Sequence, residues 1–206
     1  MPLSVQDIIS AQPIDAKLVE RIAHRNKEYK VAIVVPNPLW SQRFLEAKSR
    51  IESALGSTAS AVHHVGSTSV PGLPAKDIID IDLVVRDIHD ETSYVPALEK
   101  SNFRFLLREP AWHQHRFFVD EGDRPGGFLV NLHVFGPDCA EVERHKIFRD
   151  WLRQHPEDSE LYARVKRESA EACGVAGETM QEYTDRKDST IEEIRNRAFR
   201  DLGYLK

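Results

Sequence analysis

The sequence of 206 residues predicts an α+β fold, in which a mixed α/β part is followed by a part made of helices. Short β-branched or alternating apolar runs, which are typical of strands, fall between residues 31 and 135. From about residue 141, apolar residues recur at helical spacing instead. We therefore divide the chain into an N-terminal leader or helix (residues 1–30), an α/β core (31–137) and a C-terminal helical region (138–206).

The elements expected in the first third of the chain are two helices and two strands. Polar residues with scattered apolar positions predict a helix in the leader, and a β-branched run ended by prolines predicts a short strand. Apolar residues then recur at helical spacing until a glycine closes that helix. The expected elements are a leader helix at 15–29, a strand at 31–35, an amphipathic helix at 40–55 and a strand at 59–65.

The sheet is expected to continue after a loop rich in Gly, Pro, Ser and Thr. In the strand that follows this loop, isoleucine and leucine alternate with Asp80 and Asp82, so both carboxylates lie on the face opposite the apolar side chains. The remaining expectations are a loop at 66–76, strands at 78–85, 103–107, 115–119 and 128–135, a short helix at 94–100, and three helices after 141 with a break at 174–177.

Charged residues are numerous and nearly balanced, with 28 Lys+Arg against 33 Asp+Glu and a net charge of −5. Non-specific nucleic-acid binding needs a surplus of cations, so we expect none, although a local basic pocket could still hold a small anion. Cys139 and Cys173 have no metal-type spacing, which favours a reducing compartment. The start of the sequence lacks the pattern of a signal peptide, and no apolar run is long enough to span a membrane. We therefore expect a cytoplasmic protein without a membrane partner.

The motif with the clearest chemical meaning runs from His64 to Asp82. A turn formed by Gly66 and Ser67, the Gly-Ser turn, lies between two strands, and the second strand carries Asp80 and Asp82 about 6.6 Å apart on one face. Such carboxylates suit a divalent cation, while the turn offers backbone N–H groups and a hydroxyl to phosphate. Phosphate and metal would then meet, as nucleotidyl transfer requires. A solvent-facing acidic pair beside an ordinary loop is the alternative.

The run HHVGSTSVPGLPAKDIIDIDLVV at residues 63–85 resembles the signature of the GrpB family, a branch of the nucleotidyltransferase superfamily. Further landmarks of that family follow in the expected order, and the resemblance extends over about residues 31–199. These landmarks are Trp40 and Phe44, residues 132–134, residues 148–153, Tyr162 with Lys166, and Tyr183 with Lys187.

The resemblance implies a nucleotidyltransferase-like mixed sheet with flanking helices, a C-terminal helical bundle and a cleft between the two. In the superfamily the Gly-Ser turn binds a nucleotide triphosphate and the Asp-x-Asp pair binds Mg²⁺, which makes Asp80 and Asp82 the catalytic and metal-binding candidates. A third acid on a later strand completes the family's site, but here the matching strand carries Asn131 and His133. Since imidazole prefers Zn²⁺ or Mn²⁺ to Mg²⁺, we predict His133 as a metal ligand and a divalent cofactor, Mg²⁺ first and Mn²⁺ or Zn²⁺ as alternatives.

Cations for the phosphates are expected from three lysines. Lys76 precedes the acidic strand, while Lys166 and Lys187 each follow a tyrosine by four residues and share a helix face with it. In one interpretation these lysines reach phosphate and the tyrosines stack on a base. In the other, the tyrosines belong to the core and the lysines are solvated. The predicted phosphate-binding set is Gly66, Ser67, Thr68, Lys76, Lys166 and Lys187.

The turn and the histidines carry further expectations. Gly66 is expected because a side chain would block an approaching phosphate or strain the backbone. The Ser67 hydroxyl should face the cleft unless it is buried within the loop. His64 should brace the turn by bonding to backbone. His115 and His133 are expected either to complete a metal site with the two aspartates or to make plain hydrogen bonds.

The leading hypothesis is a metal-dependent nucleotide-binding protein that transfers a nucleotidyl group to a small-molecule or protein acceptor. The alternative is a non-catalytic nucleotide- or cofactor-binding module, which the missing third carboxylate favours. GrpB-like domains occur fused to dephospho-coenzyme A kinase, so the alternative suggests a link to coenzyme A metabolism by analogy. A third hypothesis is a metal hydrolase built from His and Asp ligands.

Overall fold

The computed structural model describes residues 3–27, 32–176 and 180–206, without the side chains of residues 173–176 and 180–186. Its centre is a six-stranded sheet in the order β1-β4-β5-β6-β3-β2. β3 and β6 run parallel, whereas the other four neighbouring pairs are antiparallel. The strands are β1 (Glu20–Arg21), β2 (Ala59–Val65), β3 (Ile78–Val85), β4 (Arg104–Glu109), β5 (His115–Glu121) and β6 (Leu129–Phe135).

Helices cover both faces of this sheet. One face packs against α2 and α3, and the other, which carries the two aspartates, lies under α4. The described helices are α1 (Val5–Ile9), α2 (Leu39–Leu55), α3 (Val95–Lys100), α4 (Ala140–Gln154), α5 (Pro156–Ala176) and α6 (Met180–Asp201). This arrangement confirms the predicted α+β class, with a mixed sheet, flanking helices and a helical C-terminal part.

Two apolar cores hold the layers together. The main core lies between the sheet and α2, because Ala47, Ile51 and Leu55 recur at helical spacing and meet Ile79 and Ile81 of β3. The smaller core joins the loop between β2 and β3 to the C-terminal helices. Its buried members are Val70, Leu73, Leu152, Tyr162, Ala163 and Ile194. The loop that carries the Gly-Ser turn is therefore fixed to the sheet on one side and to the helices on the other.

The predicted leader helix at 15–29 was wrong over the described residues. That stretch begins with a single 3₁₀ turn (Ala16–Leu18) and continues into edge strand β1. Leu18 and Ile22 remain about half exposed, so no apolar helix face is available to bury. The edge of β4 offers backbone partners instead, because the Ile22 and Ala23 N–H groups both donate to the Leu106 carbonyl.

Smaller departures from the predicted elements have similar causes. Residue 31 lies outside the described residues, and residues 32–35 contribute one isolated bridge, between Val34 and Ala75, because Pro36 follows and cannot donate. Gly174 lies inside α5 rather than ending it. The side chain of Cys173 lies outside the described residues. Within the described part of the chain, no helix is long and apolar enough to cross a membrane.

Candidate functional site

The Gly-Ser turn closes directly over Asp80. Val65, the last residue of β2, pairs with Asp80 of β3, and Gly66 follows with φ +66° and ψ −173°. A Cβ built on Gly66 would overlap the Asp80 carboxylate. Glycine is thus required because a side chain would strain this backbone conformation, as predicted, and would also collide with Asp80. Clearance for an incoming phosphate stays a prediction.

Thr68 and His64 stabilise this turn by a chain of hydrogen bonds to β3. The Thr68 hydroxyl donates to the Ile78 carbonyl (3.2 Å), so at 3.1 Å the His64 Nε2–H must be the donor to Thr68 Oγ1. Burial, with Arg153 and Arg149 nearby, lowers the pKa of His64 to about 4, which keeps its ring neutral. His64 braces the turn as expected, although through Thr68 rather than backbone. This geometry gives the buried Thr68 a structural role, and its predicted phosphate contact stays a prediction.

Two arginines of α4 fix the turn from its outer side. Arg149 Nη1 donates to the His64 carbonyl (3.0 Å), and Arg153 Nη2 donates to the Ser69 carbonyl (2.7 Å). Arg149 also pairs with the adjacent Asp150 carboxylate at 2.8 Å. Because the two acceptor carbonyls flank the Gly-Ser turn on either side, the position of the turn depends on α4.

The three predicted lysines come from three separate segments and meet near this turn. Lys166 of α5 is 2% exposed, its Nζ donates to the Pro74 carbonyl and lies 4.6 Å from the centroid of the Tyr162 ring. Burial raises the pKa of Tyr162 to about 12, and the half-buried Ser67 side chain is near enough to act in the opposite direction. Tyr162 is thus a core residue, as in one of the two interpretations, whereas the Tyr183 side chain lies outside the described residues.

Lys76, Lys166 and Lys187, here called the lysine cluster, act on one another electrostatically. Burial and the charge of Lys187 lower the pKa of Lys166 to about 7. Burial and the charge of Lys76 lower the pKa of Lys187 to about 8. Burial also lowers the pKa of Lys76, and in all three the Asp80 carboxylate acts in the opposite direction. The three lysines and Asp80 are therefore close enough to act on one another electrostatically, and Asp188 also acts on Lys187.

Asp80 itself is hydrogen-bonded to Asn131, the residue at the expected position of the third acid. Asn131 Nδ2 donates to Asp80 Oδ1 at 2.8 Å, and Arg25 Nη2 donates to Asn131 Oδ1 at 2.7 Å. A guanidinium only donates, so the amide oxygen must face Arg25 and the amide nitrogen must face Asp80. Asn131 consequently offers Asp80 a donor and offers a cation no oxygen.

Asp82 is fully buried and forms an ion pair that the sequence analysis missed. Its Oδ2 lies 2.8 Å from His145 Nδ1, and His145 Nε2 lies 3.3 Å from Glu141 Oε1. Burial alone would lower the pKa of His145, but the two carboxylates outweigh it and raise that pKa to about 10. The signal in the sequence was the i,i+4 spacing of Glu141 and His145, which places both on one face of α4.

His133 belongs to a hydrogen-bonded chain with His115 and Glu109. His133 Nδ1 lies 3.0 Å from His115 Nε2, and His115 Nδ1 lies 2.6 Å from Glu109 Oε2. Burial lowers the pKa of His115 to about 3 and that of His133 to about 4, so both rings are neutral near pH 7. Of the two expectations for these histidines, plain hydrogen bonding describes what the structure contains.

The predicted metal set of Asp80, Asp82 and His133 does not form a site held by protein alone. Among the described residues, no group of three or more His, Cys, Asp or Glu side chains is arranged to hold a metal ion. Each of the three has another protein partner. The metal hydrolase hypothesis, which uses the same ligands, gains no support from this arrangement. Asp82 Oδ1, however, is a buried oxygen without a hydrogen-bond partner in the described structure. Mg²⁺ is usually held by one or two carboxylates together with substrate phosphates, so the two aspartates fit a cation that arrives with its phosphates.

Comparison with known proteins agrees with this fold and motif. The family model described as GrpB protein matches residues 30–197. A UPF0157 protein of Halalkalibacterium halodurans is 42% identical over 200 residues, which cover 96% of this chain and 98% of the relative. A crystal structure of conserved protein GrpB from Enterococcus faecalis superposes with a TM-score of 0.71 at 26% identity, covering 83% of this chain and 99% of that one.

A more distant relative is a longer protein. The Dephospho-CoA kinase of Mycolicibacterium paratuberculosis is 30% identical over 162 residues. The match covers 66% of this chain but 39% of the kinase, so most of the kinase has no counterpart here.

Proposed function

This chain belongs to the GrpB family, and from that premise we propose that it binds a nucleotide triphosphate with a divalent cation and transfers the nucleotidyl group to an acceptor, with pyrophosphate as the leaving group. The observation that carries the proposal is the lysine cluster around Asp80, beside the Gly-Ser turn. The acceptor is a small molecule or a protein.

The cost of burying lysines is the first argument for an anionic ligand. A buried ammonium loses its hydration, and neighbouring ammonium groups repel one another, so this arrangement opposes folding. The whole chain carries a net charge of −5, so a general surplus of cations does not explain three buried lysines in one place. A polyphosphate in the cluster would restore the ordinary pKa of each lysine and relieve the repulsion. We therefore interpret the cluster as a site for phosphate groups.

Asp80 supplies the second argument. A carboxylate in the middle of a phosphate site would repel the ligand unless a cation lay between them. Asp80 and the unpartnered oxygen of Asp82 would hold such a cation, which would offset the charge that develops on the reacting phosphoryl group. The lysine cluster would bind and orient the phosphates, while the Gly-Ser turn would present its backbone N–H groups and the Ser67 hydroxyl.

Calorimetric titration tests the proposal directly. We expect ATP, GTP, CTP or UTP to bind in the presence of Mg²⁺ or Mn²⁺, and binding to weaken when the cation is chelated. Inorganic pyrophosphate should compete, because the proposed contacts are to phosphate rather than to the base. Absence of binding by all four nucleotides, with either cation, would refute both the transferase and the nucleotide-binding proposals.

A non-catalytic binding module remains the second candidate because of one observation. Asp82 is already neutralised by His145, and Asn131 offers no oxygen to a metal, so the carboxylate set is weaker than a transferase needs. The similarity to proteins named Dephospho-CoA kinase suggests a phosphate-bearing ligand from coenzyme A metabolism for such a module. Replacing both acids, Asp80→Asn with Asp82→Asn, separates the candidates. It should abolish turnover if the protein is a transferase, and should leave ligand binding largely intact if it is a binding module.

A further inference from the structure

The N-terminal arm, here residues 20–27, follows the edge of the sheet towards the proposed phosphate site. Its first part is β1, in which Glu20 and Arg21 pair with β4. The backbone N–H groups of Ile22 and Ala23 then donate to the carbonyl of Leu106, at 2.9 and 3.1 Å. These bonds fix the direction in which the arm leaves the sheet edge.

The end of the arm is held by Glu121, the last residue of β5. Glu121 Oε1 accepts from the backbone N–H groups of Asn26 (3.0 Å) and Lys27 (3.2 Å). Arg104 donates to Glu121 Oε2 at 2.6 Å, and the Glu121 side chain is 5% exposed. The arm is therefore anchored on both sides of Arg25, by β4 before it and by Glu121 after it.

Between these anchors the Arg25 side chain turns inward. Its guanidinium donates to Asn131, which donates to Asp80, so two hydrogen bonds connect Arg25 to the carboxylate under the Gly-Ser turn. Arg25 also lies 5.8 Å from the centroid of the Phe117 ring on the same face of the sheet. The pKa of Lys76 is lowered mainly by burial and raised by Asp80, and the charge of Arg25 lowers it further. Arg25 therefore acts electrostatically on the lysine cluster.

We infer that the N-terminal arm forms one wall of the ligand-binding site and that Arg25 is its fourth cation, which contacts the phosphate chain of the ligand. The inference rests on the proposed function. Arg25 is a site residue outside the family motif, because the GrpB family model matches residues 30–197 and Arg25 precedes that range. A planar guanidinium matches phosphate oxygens with two parallel donors, which the lysines of the cluster cannot do.

The test measures affinity for ATP and for inorganic pyrophosphate, each with Mg²⁺, by calorimetry on the full chain. Arg25→Ala should weaken both at least about tenfold, the scale of a hydrogen bond to a charged group. Arg25→Lys should restore part of the loss, since it keeps the charge but not the two parallel donors. Lys27→Ala is the matched control. It removes one positive charge from the same arm, where Lys27 pairs with Asp123 at the surface, and should change affinity less than about twofold.

The Glu121→Gln variant tests whether Arg25 contacts the ligand or only holds the N-terminal arm in position. Glu121 is a positioning residue, so this variant should loosen the arm, speed amide hydrogen exchange at Asn26 and Lys27, and weaken binding less than Arg25→Ala. Arg25→Ala should keep the slow exchange, because the Glu121 anchor remains. If Arg25→Ala instead loses that protection, and Glu121→Gln weakens binding as much as Arg25→Ala does, Arg25 only holds the arm and the inference is overturned.

Two outcomes distinguish this inference from the proposed function. Wild-type affinity in Arg25→Ala, together with lost affinity in Lys166→Met, would overturn the role of Arg25 and leave the proposed function standing. Failure of the wild-type protein to bind either probe would overturn both.

Discussion

The two faces of strand β3 differ in what holds their side chains. On one face Ile79, Ile81 and Leu83 are almost fully buried and pack against α2. On the other, Asp80 and Asp82 are each held by a specific polar partner from a distant part of the chain. The apolar face gains stability from area removed from water, whereas the acidic face gives up stability to place charges together. Stability and the proposed function are thus divided between the two faces of one strand.

The largest effect on the apolar side should come from Ile81→Ala. Ile81 is 0% exposed, and deleting a buried side chain of this size costs about 2–5 kcal/mol of unfolding free energy. Urea denaturation measures the loss, and calorimetry on the remaining folded protein should show unchanged ATP affinity. A loss below about 1 kcal/mol, or a clear change in affinity, would contradict the division between the faces.

Gly66→Ala should damage the acidic face through the backbone. Its conformation is accessible essentially to glycine alone, which predicts a loss of about 1–3 kcal/mol, and its Cβ would also displace the Asp80 carboxylate. Gly72→Ala is the matched control in the same loop, because Gly72 also has a positive φ (+79°) but a Cβ there would meet nothing within 4 Å. Thermal melts should show the larger loss at Gly66. Equal losses of stability in the two variants would mean that the overlap between the new Cβ and Asp80 does not destabilise the protein.

Lys166→Met should move stability and binding in opposite directions. Removing a buried charge should raise the melting temperature, while ATP affinity falls about tenfold or more. Between the folded pKa of about 7 and the ordinary value of 10.5, the unfolded chain holds a proton that the folded chain lacks. Wild-type stability should therefore rise with pH through this window, and the variant should flatten the rise.

The control for this prediction is Lys48→Met on α2, where the side chain is 36% exposed. It should change neither the melting temperature nor the affinity appreciably. A Lys166→Met protein that melts lower and still binds ATP normally would show that Lys166 is a structural residue of the α5 contact.

Ser67→Ala should give the smallest effect. The Ser67 side chain is half-buried near Tyr162, so its removal should cost at most about 1 kcal/mol of stability, and nucleotide affinity should weaken by about 1–2 kcal/mol. Tyr162→Phe removes the neighbouring phenol hydroxyl but keeps the serine hydroxyl, so it should lower stability and spare affinity. Equal losses of affinity in both variants would assign Ser67 to the loop structure alone.

The sequence predicted correctly those features that depend on residues close together in the chain. The alternation in β3, the Gly-Ser turn before it and the amphipathic spacing of α2 are local patterns, and the structure contains each of them. The helix at 15–29 failed because its apolar positions have no surface to cover, while a sheet edge some 85 residues further along the chain supplied backbone partners.

The missed parts of the site depend on partners far apart in the sequence. Arg25 and Asn131 are separated by 106 positions, and Asp82 and His145 by 63. No periodicity relates such positions, and the residue that replaces the third acid could be identified only by its place in the strand. Its amide orientation required knowing that a guanidinium lies behind it.

The smaller core also limits how the chain can be divided into separate fragments. A fragment ending at residue 137 would expose Val70 and Leu73, which lie under Leu152 and Ile194 in the intact chain, and would lack two of the three clustered lysines. A fragment beginning at 138 would lack the sheet to which its helices attach. Neither piece could be transplanted as a working module, so both parts of this chain must be moved together in any fusion with another protein.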